Sequence, residues 1–169
     1  MNKDFKIMMG ALVFTFLLVV GLATIFGGEA TDEPVVAGIQ IEGIEAFPEN
    51  YDLSDVSLNG GIVTKEYEVK NSSGKTLTLK KIATSCMCTQ ASVAIREKES
   101  RFYGMEHAMD KNPPVNMEFP SGETAKVTVT FDPAAHGPQG VGSFERVVWL
   151  TFSDPGGVKE LKFNGRVVN

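Results

Sequence analysis

Cysteine and histidine are scarce in this chain, two of each among 169 residues, beside a single tryptophan. Two cysteines exclude a disulfide-dense scaffold, because one intramolecular bridge is the most they can form. Basic charge is short as well. Lys and Arg number 16 against 21 Asp and Glu, and beyond residue 28 the balance is 14 to 20, a net −6. That is not the basic footprint that phosphate backbones demand, which argues against nucleic-acid binding. There is no Ser-His-Asp arrangement, no glycine-rich phosphate loop and no paired carboxylates suited to a pocket. Hydrolase and transferase chemistry therefore find no support, and the chain is expected not to be an enzyme. No amphipathic helical pattern runs beyond a few turns. The 43% hydrophobic and 22% charged content still leaves material for a packed core.

What is present begins with an apolar run. Residues 7–26 carry no charge, and at 1.5 Å rise per residue they span about 30 Å, the thickness of a hydrocarbon core. Lysines precede the run and acids follow it, which predicts a cytoplasmic tip at 1–6 and an exported remainder. The run exceeds the apolar stretch of an ordinary signal peptide, so the reading is one N-terminal transmembrane signal-anchor helix, with a cleaved signal peptide as the alternative. Residues 27–38, small and acidic, read as a linker, and 39–169 as the folded domain on the extracytoplasmic side of the cell membrane.

In that domain the periodicity is two. "IVTKEYEV" alternates, placing Val63, Lys65, Tyr67 and Val69 on one face. "NSSGK" is a turn, and "TLTLKKIAT" is the next strand, with Leu77, Leu79 and Ile82 inward. "TQASVAI", "AKVTVTFDP", "ERVVWLTFS" and "VKELKFNGRVV" continue the series, with Trp149 expected at or near the core. About seven short strands separated by turn residues predict an all-β, immunoglobulin-like β-sandwich. One connection, 96–122, is out of proportion at 27 residues. Loops of that length are usually functional or disordered.

The soft donors gather there. Met87, Met105, Met109 and Met117 lie in the interval that also holds Cys86, Cys88 and His107. On an extended segment, Cys86 and Cys88 share a face with Cα atoms roughly 6.5 Å apart. A disulfide prefers about 5.5–6 Å, whereas a metal with bonds near 2.3 Å spans the gap readily. Thiolate, thioether and imidazole together select copper(I). The expected site is therefore Cys86 and Cys88 with His107 and one or two of Met105 and Met109, while Met87 points to the opposite face. Three other readings stay open: a structural disulfide, plain packing, and thiol–disulfide redox activity. His136 in "AAHGPQG" reads as a loop residue, with a further ligand as the alternative. Asn71-Ser72-Ser73 fits a glycosylation sequon but reads as a turn.

"TSCMCT" after a strand, "PSGETAKVTVTFDP" and the closing "LKFNGRVV" resemble the bacterial domain-of-unknown-function family 1573, as a CxC-containing, membrane-anchored member. Gly61, Val63, Asn71, Gly74, Leu77, Thr84, Thr89, Gly122, Glu123, Phe131, Pro133, Gly165 and Val167 carry the resemblance. Met87 departs from it, standing where the family usually has glycine. The resemblance implies an immunoglobulin-like fold akin to Hydin-type domains and assigns no activity. Two functions of different class follow. One is a membrane-tethered domain binding copper(I). The other is a structural or protein-contacting module of the envelope, with an envelope protein as its partner and the cysteines as a disulfide or packing feature.

Overall fold

The computed structural model describes residues 5, 9, 12, 15, 17, 18, 39–107, 111–153 and 156–169. Two compact units are present, Met1–Val35 and Val36–Asn169. In the first, the described positions Phe5, Met9, Leu12, Thr15, Leu17 and Leu18 are helical and exposed. Among the described residues no helix is long and apolar enough to cross a membrane. Most of the expected span 7–26, the linker 27–38 and Met109 lie outside the described residues.

Among the described residues the second unit is all-β, with ten strands where the sequence suggests about seven. One sheet runs β1 (Ile44–Phe47), β3 (Val63–Asn71), β8 (Thr124–Phe131), β5 (Thr89–Ile95) and β6 (Lys98–Glu99). The other runs β2 (Asn50–Ser57), β10 (Gly157–Val168), β9 (Gly142–Ser153), β4 (Leu77–Thr84) and β7 (Met117–Phe119). β2 joins β10 in parallel, and the other strand pairs are antiparallel. The extra strands are short ones at sheet edges. β1 has four residues, and β6 and β7 have two and three, both inside the long connection 96–122. Runs this brief carry too few alternations to register as period two.

Alternation builds the core as expected in β3, where Tyr67 and Val69 are fully buried between exposed Thr64, Glu66 and Glu68. In β4 the inward set is Leu77, Leu79 and Ile82, a step of three at its end. A register shift between Leu79 and Lys81 against β9 absorbs the extra residue. In β9 the inward residues are Val148, Leu150 and Phe152. Trp149 therefore lies on the opposite face, half-buried, with its indole N–H donating to Glu160 Oε1 at 3.2 Å. The two sheets are tied through the core by the Tyr67 hydroxyl, which donates to the Lys162 carbonyl at 2.6 Å. Burial, with Tyr51 adding to it, raises this phenol above its ordinary pKa. Near one end of the sandwich, Phe131, Phe144 and Phe163 form an aromatic cluster, Phe131 stacking on Phe144 at 4.5 Å.

Candidate functional site: the Cys86–Cys88 corner

Cys86 and Cys88 lie where the chain leaves one sheet for the other. β4 ends at Thr84, β5 begins at Thr89, and 85–88 is the corner between them. Polar residues at both shoulders force the reversal. The Thr84 hydroxyl lies 3.0 Å from both the Cys86 and the Thr89 carbonyls, and the Thr89 N–H donates to the Cys86 carbonyl at 3.1 Å. Ser85 pins the corner to β9, its N–H donating to Val147 O and its Oγ accepting from Val147 N, each at 2.9 Å. On the other sheet, Asp132 N donates to Cys88 O at 2.9 Å.

This turn corrects the expectation of an extended segment. The Cα atoms are 5.2 Å apart, and the two sulfurs are bonded at 2.11 Å. The distance argument against a disulfide fails because the segment is not a strand. Both cysteines are buried, whereas Met87 is exposed at the turn between them. As a staple the bond is weak. A loop of about three residues removes only about 1.6 kcal/mol of denatured-state entropy, against about 3 kcal/mol for a 15-residue loop.

Two side chains meet the sulfurs. His136 Nε2 is 3.2 Å from Cys86 Sγ, and Arg146 Nε donates to Cys88 Sγ at 3.3 Å. The strand register explains the histidine. Phe131 is the partner of Thr89, so the chain leaving β8 starts beside the corner. Asp132 then turns it back, its carboxylate accepting from Ala134 N at 2.9 Å, while Gly137 N donates to Ala134 O at 2.8 Å. "FDPAAHG" is thus one device that folds an exposed imidazole over Cys86. Arg146 reaches in from β9, its guanidinium 5.7 Å from the Phe144 ring centroid. Burial disfavours its charged form and lowers its pKa. Among the described residues, Cys86, Cys88 and His136 form a group whose ligand atoms all lie within 4.8 Å of one another.

The remaining expected site residues are placed differently. His107 is exposed and Met105 half-buried. Their segment runs back along β4, away from the corner. Gly104 O accepts from Thr84 N at 3.3 Å, Glu106 pairs with Lys81, and Val115 N donates to Lys80 O at 2.9 Å. Asn112 fastens the loop, donating from Nδ2 to Ile82 O at 3.1 Å and Gly104 O at 2.9 Å. No contact joins Met105 or His107 to the cysteines among the interactions described. His136 was legible in the sequence as a loop residue, with a further ligand as the alternative. Nothing in the sequence singled out Arg146, one charge on an ordinary strand.

No curated protein matches the chain significantly. Among solved structures, a protein of unknown function from Porphyromonas gingivalis W83 is similar at TM-score 0.52 and 15% identity. The match covers 80% of this chain and 51% of that one, so the chain spans about half its length. A family 123 glycoside hydrolase from Clostridium perfringens is matched at TM-score 0.47 and 8% identity, over 72% of this chain and 23% of that one. The VesB protease of Vibrio cholerae is matched at 0.45 and 17%, over 76% and 32%. The first likeness shows a shared fold. Residues 44–100, from β1 through the cysteine corner to β6, match the family described as protein of unknown function, DUF1573, and it is this stretch, about a third of the chain, that is similar to the family.

Proposed function

We propose that the chain is a structural, protein-contacting module of the cell envelope. In this reading it is an immunoglobulin-like sandwich tethered through 7–26 on the outer side of the cytoplasmic membrane, with Cys86 and Cys88 closed as a disulfide. The closed, buried pair is the observation that carries it, because disulfides persist in oxidising compartments and are rare in the cytosol. Surface features fit a contact role. β1, β6 and β7 are short edge strands, and β2 is interrupted at Ser54, whose φ is 54°. Such edges resist strand addition, which leaves contacts to side chains such as Phe47 and Ile62, 76% and 67% exposed.

A membrane-impermeant, amine-reactive biotin reagent tests the location on intact spheroplasts. Lys98 and Lys126, exposed on β6 and β8, are expected to be labelled without lysis. Labelling that appears only after lysis would place the domain in the cytoplasm and overturn the reading.

A further inference from the structure

The disulfide corner holds more chemistry than a weak staple needs. A half-buried guanidinium donates to one sulfur, and the imidazole of the exposed His136 abuts the other. We propose that reduction of Cys86–Cys88 converts the corner into a copper(I) site, with both thiolates and His136 Nε2 as a three-coordinate set and Arg146 as the charge partner. This goes beyond the envelope-module reading and can fail without affecting it.

The reduction balances with an external dithiol. Two electrons and two protons pass to Cys86 and Cys88, the S–S bond breaks, and the dithiol leaves as its own disulfide. Each thiol then gives up its proton to solvent as the metal binds. Geometry allows the change. Sulfurs on a trigonal ion with bonds near 2.3 Å stand about 4 Å apart. A Cα separation of 5.2 Å leaves that spacing available by rotation about the side-chain bonds. His136 already lies at 3.2 Å from Cys86 Sγ, and its exposure gives the ion a path inward.

Charge selects the metal. Two thiolates and a copper(I) ion sum to one negative charge, which the Arg146 guanidinium beside Cys88 neutralises. A zinc(II) ion on the same ligands would be neutral alone and would leave the arginine's charge unbalanced in a half-buried site. Zinc also seeks a fourth ligand, whereas two thiolates and an imidazole suit copper(I).

The test titrates the full chain with copper(I), without oxygen, against the chromogenic competitor bicinchoninate. One sample is reduced with dithiothreitol and freed of it, and the other is left oxidised. The reduced chain is expected to take one copper(I) and the oxidised chain none. Cys86→Ser/Cys88→Ser should abolish binding. Outer-shell changes at metal sites already cost about 10–100-fold, so His136→Ala should weaken binding at least about tenfold. His107→Ala should leave it unchanged. Because His136 is exposed, an unchanged unfolding midpoint in the oxidised state confirms that its variant is folded. The proposal is overturned by a disulfide that resists dithiothreitol in the folded chain. It is equally overturned by reduced protein that takes no copper above the double-serine variant, or by a His136→Ala titration superimposable on wild type.

Discussion

Phe131→Ala is expected to destabilise the sandwich by about 4 kcal/mol, read as a lower urea midpoint in equilibrium unfolding. Phe131 is 4% exposed and stacks on Phe144, with Phe163 edge-on at 5.6 Å. It ends a strand paired on both sides, opposite Val63 and Thr89, so a cavity there cannot close by moving an edge. A domain of this kind commonly has about 5–15 kcal/mol in all, and the substitution removes a large share. The effect should also reach the cysteines, since Asp132 next door holds the Cys88 carbonyl. Dithiothreitol should therefore reduce the disulfide faster in this variant than in wild type. A loss below about 1 kcal/mol would mean that the aromatic cluster is not the packed end that the geometry describes.

Asn71→Ala is expected to cost about 3 kcal/mol and to lower the melting temperature by on the order of 10 °C. Asn71 is a polar side chain with no exposure. Its Nδ2 donates to the Lys75 carbonyl at 2.9 Å and the Phe119 carbonyl at 2.7 Å. Its Oδ1 accepts from Ser73 N at 3.1 Å and Ser73 Oγ at 2.6 Å. One residue thus closes the β3–β4 turn and clamps β7 beside it, and removing it takes a donor from two carbonyls, the buried one of Phe119 and that of Lys75, which keeps Ser73 Oγ at 3.3 Å. Asn71→Asp should also destabilise, because a carboxylate cannot donate to them. The same burial answers the sequon question. Asn71 ends β3 and its side chain closes the turn that follows, and in the folded domain its buried amide cannot receive a glycan. Thermal unfolding of both variants checks this, and a shift of only a degree or two would contradict it.

The all-β class was legible because Tyr67, Val69, Leu77 and Leu79 follow a simple period that backbone geometry imposes. The family likeness over 44–100 was legible through "TSCMCT", which the fold sets beside "FDP" across the Thr89–Phe131 pair. What misled was local conformation. Two cysteines one residue apart read as extended because a strand precedes them, but Thr84 and Ser85 hydrogen-bond the chain into a turn and shorten the Cα distance to 5.2 Å. The choice of His107 over His136 was a second consequence. Nearness in sequence favoured the loop that follows β5, but Asn112 and the Lys81–Glu106 pair lay it back along β4. His136 arrives from a strand that is adjacent only through sheet pairing, a long-range fact that one sequence does not display. Arg146 was hidden for the same reason.

The corner's resting state is the centre of the account, and counting thiols tests it most directly. Cells are lysed into an alkylating agent, and the isolated chain is weighed intact before and after reduction and a second alkylation. The account predicts no alkylated cysteine in the first mass and two in the second. Two alkylated cysteines before reduction would contradict it, since Cys86 and Cys88 would then be free thiols in the cell.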